Sequence, residues 1–418
     1  MTGPETSTTT GRNKLPEIAD ILVVAIAVSL PWSTSATSVL VVLWFVALVP
    51  TLRWADIVRE VTTPTGGLPV ALVALGLVGM LWSDVTLIEK WRGFDSFVKL
   101  LAIPFLFAQF RRSERGTWVF AGYLYSCTAL LVVSLVVLAI PPLADRFMHA
   151  DLVLVKNAAT QSGEFVTCIF GLLYLALKGK TPRPWQALLG ISFVVIAMLA
   201  SILYVATGRT ALVTFLVLLA LLATRRLPAR GIVVVVAGAV AIGAISWSSS
   251  AYLRSRTEAI WTELEYYKTH NVATSSGERL VFWTKSIDFI RGAPFIGHGT
   301  GSIRSLYERS AVGQSGVGAE ISTNPHNQTF AVGIQLGLIG IAVLWAMWVA
   351  HILLFLRGEG LAAWIGLVVV TQNVVGSLFN SHLFDFLQGW TYVVGIGVTG
   401  GMVLRVQDAI GQMRSDTV

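Results

Sequence analysis

Apolar runs separated by short polar connections occupy almost the whole chain. A helix that crosses a bilayer needs roughly 20 mostly apolar residues, with a range of about 17 to 25. Twelve runs reach or approach this length, although several are short or contain Gly and Pro. They cover approximately Ile18–Trp32, Val39–Leu52, Gly67–Trp82, Phe97–Phe110, Thr117–Pro141, Phe165–Leu177, Trp185–Ala206, Ala211–Ala223, Gly231–Trp247, Thr329–Leu356, Leu361–Phe379 and Leu387–Leu404. The pattern predicts an all-α polytopic membrane protein with about 12 transmembrane helices.

The composition excludes the common soluble classes. Hydrophobic residues make up 55% of the 418 positions and charged residues only 13%, whereas soluble domains carry about 25% charged residues. With a mean hydropathy of +0.71, a soluble enzyme, a disordered chain and a coiled coil are ruled out. The two cysteines, Cys127 and Cys168, lie inside apolar runs, which makes them core residues rather than parts of a disulfide framework.

The basic residues predict which helix ends face the cytoplasm. If the N-terminus is inside, 16 of the 30 Lys and Arg residues lie on inner segments near span ends. Cytoplasmic connections carry such an excess, and long loops cross the membrane largely regardless of charge. Both termini are therefore expected in the cytoplasm. Because insertion accounts for most of the net charge of +7, no nucleic-acid partner is expected.

One long segment separates two groups of spans. The chain divides into residues 1–247 with nine spans, residues 248–328 outside the membrane, and residues 329–418 with three spans and a cytoplasmic tail. Two amphipathic helices are predicted in the long segment, the first around Ile260–Tyr267 and the second from Gly277 to about Arg291. We expect them to lie at the outer interface and to cover a cavity between spans.

Polar sequences that do not serve as topological anchors collect on the outer side. They are Trp91–Lys99, Lys156–Gln161, Thr207–Thr210, Ser275–Trp283, Pro294–Ser302, Asn324–Gln328 and Phe379–Asp385. Alternating-access carriers place polar groups at the bilayer midplane in two repeated halves. The sequence shows neither an internal repeat nor a matched pair of broken helices. The chemistry is therefore expected at the outer face.

Two outer arginines are candidates for binding an anionic group. Arg209 lies in Thr207–Thr210 between two apolar stretches, where a charge is costly and usually marks a pathway or a ligand contact. The alternative is an arginine that reaches the outer headgroups. Arg279 lies near the start of the second predicted outer helix, where a guanidinium adds a forked donor suited to phosphate. The alternative there is a salt bridge to Glu278 or Glu263.

His326 is the candidate general base. Histidine is the side chain best placed to accept a proton near neutral pH. Asn327 follows it directly and offers a partner that orients the imidazole. The alternative role for a histidine at a span boundary is a headgroup contact, and Glu164 and Glu278 remain alternative bases.

Further outer polar residues are expected to assist in binding a diphosphate or a glycan. They are Arg92, Lys99, Lys156, Asn157, Gln161 and Asn327. The cations among them are equally suited to lipid headgroups. No metal site is predicted, because the sequence has no His-x-x-x-His pair, no Asp-x-Asp, and only scattered outer acids.

Taken in order along the chain, these motifs resemble the O-antigen ligase (WaaL) family, within a superfamily that includes O-antigen polymerases and protein O-oligosaccharyltransferases. The residues that carry the resemblance are Thr207–Thr210, Arg279 with Trp283, Pro294–Gly299, His326-Asn327 and Gly337–Gly340. They extend over roughly residues 200 to 345, and the span layout extends the likeness to the whole chain. His298 departs from the family pattern, which more often has an apolar residue there.

The resemblance implies a GT-C-like, membrane-embedded glycosyltransferase in the bacterial inner membrane, with its active site facing the periplasm. The implied reaction moves O-antigen polysaccharide from undecaprenyl diphosphate to a sugar hydroxyl of lipid A–core, with inversion and without metal or cofactor. Arg279 and Arg209 would bind the diphosphate, and His326 would activate the acceptor hydroxyl.

Three alternatives stay open from the sequence. An O-antigen polymerase uses the same donor but a second lipid-linked glycan as acceptor, and a protein O-oligosaccharyltransferase uses a protein. A flippase or other carrier of lipid-linked sugars belongs to a different functional class. It would need charged residues along the whole path through the bilayer, and the inner half of the spans lacks them.

Overall fold

The computed structural model describes residues 14–148, 153–177, 184–206, 208–249, 254–255, 258, 262 and 275–415. Within these ranges the chain forms α-helices and short 3-10 turns, and no β-strand is present. This confirms the all-α prediction. The first predicted amphipathic helix, around Ile260–Tyr267, lies outside the described residues apart from Thr262.

Nine helices lie between residues 15 and 177 of the described chain. They are α1 (Leu15–Ser29), α2 (Thr34–Leu48), α3 (Trp54–Val61), α4 (Pro64–Val78), α5 (Leu87–Val98), α6 (Ala102–Phe110), α7 (Gly116–Ala139), α8 (Pro141–Phe147) and α9 (Ala158–Leu177). Local capping explains several starts. The Ser33 hydroxyl accepts a hydrogen bond from the amide of Ala36 at the start of α2, and Thr86 with Glu89 forms a reciprocal capping box on α5.

Eight further helices follow between residues 185 and 415 of the described chain. They are α10 (Trp185–Tyr204), α11 (Arg209–Arg226), α12 (Ala229–Ser249), α13 (Ser275–Gly292), α14 (Ile303–Ala311), α15 (Gln328–Arg357), α16 (Gly360–Gly376) and α17 (Phe386–Ser415). The second predicted amphipathic helix corresponds to α13, which begins two residues before the predicted start.

Every one of the twelve predicted spans coincides with helical structure. Eight helical stretches in the described chain are long and apolar enough to cross a membrane. Two of them are composite: Thr34–Thr51 joins α2 to the 3-10 turn after it, and Leu87–Phe110 joins α5 to α6. A ninth is obtained if α3 and α4, which meet at 87°, form one span. The protein is therefore a multi-pass membrane protein. The last helix, α17, runs past the predicted end at Leu404 to Ser415, and its polar end is held by an ion pair of 3.1 Å between Arg111 and Asp408.

An ionic network joins the helix termini at one end of the bundle. The carboxylate of Glu60 is fully buried and pairs with Arg59 at 3.0 Å and Arg111 at 3.3 Å. Asp20, in the second turn of α1, accepts hydrogen bonds from Gln109 and from Ser113. Buried carboxylates are tolerated only when paired and hydrogen-bonded in this way. The opposite end of α1 lies near the polar sequences that were expected to carry the chemistry.

The glycine-rich sequence after α13 docks its backbone directly onto α15. Gly297 and Gly299 have φ of +68° and +89°, and the amide of Gly299 donates to the carbonyl of Gln335 at 2.9 Å. Opposite them α15 is interrupted at Gly337, whose φ is +61° and whose missing Cβ would lie 2.4 Å from the carbonyl carbon of Phe295. Only glycine allows this approach and these dihedrals. The motif Pro294–Gly301 is thus a packing joint that fixes α13 over α15.

Candidate active site

The backbone around His326 is held in an unusual conformation by side chains. His326 has φ of +53°, in the left-handed region that non-glycine residues rarely occupy. Its amide donates to the Asn324 side-chain oxygen at 2.9 Å, and Ser381 Oγ donates to the same oxygen at 2.7 Å. A sparsely populated backbone conformation that persists because its surroundings determine it is a frequent property of functional sites.

The hydrogen bonds of Asn380 determine which imidazole nitrogen carries the proton. Asn380 Nδ2 donates to Asp385 Oδ2 at 2.8 Å, so its Oδ1 faces His326 Nδ1 at 3.1 Å and the Asn324 amide nitrogen at 2.7 Å. The reverse orientation would place the Asn380 oxygen against a carboxylate. Nδ1 of the neutral imidazole is therefore the donor, and Nε2 keeps its lone pair. This is the tautomer that a general base requires.

A buried lysine anchors the far end of this network. Lys99 Nζ donates to the carbonyl oxygens of Phe384 and Asp385, each at 2.9 Å. Burial raises the pKa of the Asp385 carboxyl to about 6, and the Lys99 charge opposes that rise. The order His326–Asn380–Asp385–Lys99 thus connects the candidate base to a fixed cation. The prediction that Lys99 binds substrate stays untested, but both of its hydrogen bonds here support the turn before α17.

The outer helix α13 covers the imidazole and brings Arg279 to it. The Phe282 ring stacks on His326 with centroids 6.1 Å apart and planes at 21°. The carbonyl of Phe282 accepts a hydrogen bond of 2.9 Å from the buried Tyr307 hydroxyl, which fixes α13 on α14. Burial lowers the pKa of His326, the charge of Arg279 lowers it further, and the bond to Asn380 opposes both effects. Two of the three predicted catalytic residues, His326 and Arg279, are therefore near enough for the charge of one to act on the other.

A polar cavity of about 410 Å³ opens beside this network. Its walls include Asn324, Ser381 and Asp385 from the network, together with Arg92 on α5 and Gln335 on α15. Arg92 is exposed, whereas Lys99, which directly follows the same helix, is buried. Side-chain amides, hydroxyls and charged groups around a concave site are suited to hydroxyl-rich ligands such as sugars.

The third predicted catalytic residue belongs to a neighbouring cluster on α9 and α11. Arg209 is the first residue of α11 and is half-buried. The preceding Gly208 packs closely on α9, because a Cβ there would lie 2.4 Å from Ser162 Oγ. On the same helix, a Cβ at Gly163 would lie 3.5 Å from Gln388 of α17. The two clusters are thus joined through the start of α17, which carries Gln388 three residues after Asp385.

Three further predicted residues, Asn157, Lys156 and Gln161, lie at or near the start of α9 and have different structural roles. Asn157 Oδ1 accepts from the amide of Thr160 at 2.9 Å and so caps α9. Lys156 Nζ donates to the carbonyl of Leu30 at the end of α1; burial lowers its pKa, and the charge of Glu164 opposes this. Gln161 is buried, and its amide atoms have no hydrogen-bond partner among the described residues.

The expected orientation of His326 by Asn327 is wrong. The Asn327 side chain caps α15 by accepting from the amide of Phe330 at 3.2 Å, and it donates to the carbonyl of Leu378 at 3.1 Å. Both of its polar atoms are thereby turned to the helix start and to the neighbouring turn, and Asn380 takes the orienting position. An asparagine immediately before a long apolar span is a strong helix-capping signal, and this local role prevails.

The alternative acids and other histidines lie in different surroundings. Glu164 is buried within α9, while Glu278 lies on α13, where burial and Glu320 raise its pKa and Arg279 opposes the rise. His298 Nε2 bonds the carbonyl of Phe289 at 2.8 Å and so fixes the end of α13. Burial lowers the pKa of His382 to about 4. Among the described residues, no three His, Cys, Asp or Glu side chains are arranged to hold a metal ion.

Sequence reasoning did not identify the roles of Asn324, Asn380 and Asp385. The segments Asn324–Gln328 and Phe379–Asp385 are recognisable as polar sequences before spans. Their pairing is a long-range event: Gln328 Oε1 accepts from the amide of Leu383 at 2.9 Å, and the amide of Gln328 donates to the carbonyl of Ser377. A single sequence carries no signal for contacts between residues more than fifty positions apart.

Part of the chain is similar to a known protein family. Residues 193–345 match the model of the family Wzy_C, described as O-antigen ligase. The matched region contains Arg209, Arg279 and His326, whereas Lys99, Asn380 and Asp385 lie outside it. No curated protein matches the chain. The central part of the chain, residues 193–345, is therefore similar to the O-antigen ligase family.

Proposed function

We propose that the protein is an O-antigen ligase that transfers O-antigen polysaccharide from undecaprenyl diphosphate to a sugar hydroxyl of lipid A–core. The observation that carries the proposal is the His326 imidazole, which is held by Asn380 with Nε2 unprotonated and lies within the electrostatic influence of Arg279. The family supports a reaction of the ligase or polymerase type. The active site then faces the periplasm, and both termini lie in the cytoplasm.

In this reaction the arginines bind the leaving group. The lipid diphosphate departs with concentrated negative charge, and guanidinium groups stabilise such charge through paired, charge-assisted hydrogen bonds. Arg279 approaches it from α13 and Arg209 from the start of α11. Lys156 and Gln161 lie on the Arg209 side and are further candidates for contacts with the donor. The negative charge is thereby balanced by side chains of the protein.

His326 acts on the acceptor. Nε2 accepts the proton of the acceptor hydroxyl while its oxygen attacks the anomeric carbon of the donor sugar. The bond from that carbon to the diphosphate oxygen breaks, and undecaprenyl diphosphate leaves. Attack from the face opposite the leaving group inverts the anomeric configuration. The sugar–diphosphate bond supplies the free energy, so the step consumes no nucleotide.

The same site chemistry serves a polymerase, in which a second lipid-linked glycan replaces lipid A–core. Incubation of the purified protein with lipid-linked glycan and each acceptor distinguishes the two reactions, because the product identifies the acceptor. A flippase would instead move the lipid without forming a glycosidic bond. The buried hydrogen-bond network around the His326 imidazole favours the transferase, since transport does not require a base of fixed tautomer.

Replacement of His326 tests the base assignment. The His326→Ala variant should lose at least about a hundredfold in turnover, the scale of general acid–base catalysis, while it inserts and folds normally. The measurement is transfer to lipid A–core by purified protein, normalised to the amount recovered as a single species after detergent extraction. Full activity of a well-folded His326→Ala protein would remove the base from the proposal.

A further inference from the structure

The structure contains a second cavity, which is an apolar groove at membrane level. It has a volume of about 660 Å³ and lies between α2, the α5–α6 region and α17. Its walls include Val42, Phe45, Phe105, Phe386 and Trp390. The helix α17, and α2 together with the 3-10 turn that follows it, are both long and apolar enough to cross a membrane. The groove is therefore a lateral opening toward lipid.

This groove is continuous with the polar cavity beside His326. Ser96 and Phe384 line both cavities. Lys99 lines the groove, and its ammonium group bonds the carbonyl of Asp385, whose side chain lines the polar cavity. An amphiphile with a sugar head in the polar cavity would thus have its hydrocarbon chains directed into the groove. This continuity with a polar cavity distinguishes the groove from an apolar surface that contacts only bulk lipid.

The geometry of α17 separates this groove from Arg209 at the start of α11. Phe386 and Trp390 are four residues apart and share one face of α17, which lines the groove. Gln388 lies about 200° around the helix from Phe386 and faces Gly163 of α9, which is also the helix on which Gly208 packs. The start of α17 therefore stands between the groove and Arg209. The two lipid substrates of a transfer reaction have distinct sides of one helix available to them.

We infer that the groove between α2, α5–α6 and α17 binds the acyl chains of the acceptor glycolipid, with its sugars in the polar cavity. This inference rests on the proposed function. The donor is assigned to the other side because its diphosphate needs the arginines, and Arg209 lies away from the groove. The walls of the polar cavity combine cations with carboxylates such as Glu89 and Asp385, a pattern suited to sugar hydroxyls more than to a diphosphate.

A groove-filling substitution with a matched control tests the inference. Val42 and Val39 are on α2, are 62% and 60% exposed, and differ in that Val42 lines the groove and Val39 does not. Val42→Trp should raise KM for acylated lipid A–core at least about tenfold. It should leave KM for the lipid-linked donor, and for deacylated lipid A–core, unchanged. Val39→Trp should behave as the unmodified protein with all three substrates.

The possible results separate the inference from the proposed function. If the unmodified full-length protein forms no ligated product, the proposed function fails and the inference falls with it. If the unmodified protein transfers but Val42→Trp leaves every KM unchanged, the groove assignment alone is overturned. A rise in KM for the donor instead of the acceptor would likewise overturn it, because the groove would then hold the polyprenyl chain.

Discussion

At the scale of single residues, the site depends on one asparagine, Asn380, whose side-chain oxygen and nitrogen both form hydrogen bonds. Asn380 accepts from His326 Nδ1 and from Asn324, and donates to Asp385. Because the carboxylate accepts from the Asn380 amide group, the amide oxygen is left for the imidazole, and the proton stays on Nδ1. The buried Lys99 in turn bonds the carbonyl of Asp385. The His326 imidazole is thus positioned by residues that lie far from it in the sequence.

The Asn380→Ala substitution should lower kcat by about ten- to a hundredfold, part of the full contribution of a general base, with little change in KM. Since the bond from Asn380 raises the pKa of His326, its loss should also move the acid limb of the pH–rate profile to lower pH. Steady-state transfer assays over a range of pH measure both effects. Asn327→Ala is the matched control: loss of the α15 cap should cost about 1 kcal/mol of stability without moving the acid limb. An identical pH profile in Asn380→Ala would contradict the positioning role.

The pH dependence of the unmodified protein follows from the surroundings of His326. Burial and the Arg279 charge lower the pKa of the imidazole below its usual 6.5, and only the neutral imidazole accepts a proton. Transfer should therefore persist below pH 6.5 and fall as the pH drops through the lowered pKa. Replacement of the charge by Arg279→Gln should raise that pKa and move the acid limb to higher pH. Arg279→Lys keeps the charge, so the acid limb of the pH–rate profile should stay in place. Turnover should still fall, because an ammonium group cannot form the paired hydrogen bonds of a guanidinium. If the pH–rate profiles of Arg279→Gln and Arg279→Lys had the same acid limb, an effect of the Arg279 charge on the pKa of His326 would be excluded.

At the scale of elements, apolar periodicity predicted the helices well and their connections poorly. All twelve apolar runs are helical, since each must satisfy its backbone internally in lipid. The bend of 87° between α3 and α4 is not visible as an apolar pattern. Likewise, the sequence Pro294–Gly301 gives no indication that its glycines dock on Gly337 across the kink in α15. Such joints depend on two segments meeting in space.

Substitution of Gly337 tests whether this joint holds the site together. Its φ of +61° and ψ of −158° are essentially restricted to glycine, and a Cβ would lie 2.4 Å from backbone atoms of Phe295. Gly337→Ala should therefore destabilise the protein by more than the roughly 1–3 kcal/mol typical of backbone strain. It should also weaken the packing of α13 against His326.

Thermal unfolding in detergent measures the loss of stability. Gly313→Ala is the control, because that residue also has a positive φ of +76° but no atom within 4 Å of the position that a Cβ would take. Equal unfolding midpoints for the two variants would show that the joint contributes no packing.

At the scale of the whole molecule, the two ends of the bundle differ in chemistry. One end is closed by ion pairs that link α1, α3, α6, α7 and α17. The opposite end carries the His326 network and the polar cavity. This division follows the sequence pattern, because basic residues near span ends and polar motifs alternate along the chain. The combination of His326 with Asn380 and Asp385 was not predictable in the same way, since it requires the docking of α15 and α17.

The orientation of the bundle can be tested with introduced cysteines. The native residues Cys127 and Cys168 are both buried, so a membrane-impermeant maleimide should give little background labelling. Val312, at the end of α14 on the side of the His326 network, is 81% exposed, and Met413 near the end of α17 is 62% exposed. If basic connections face the cytoplasm, Val312→Cys should be labelled in intact spheroplasts and Met413→Cys only after the membrane is permeabilised. Gel detection of the labelled protein measures both. The reverse pattern would place His326 in the cytoplasm, where the proposed periplasmic transfer to lipid A–core could not occur.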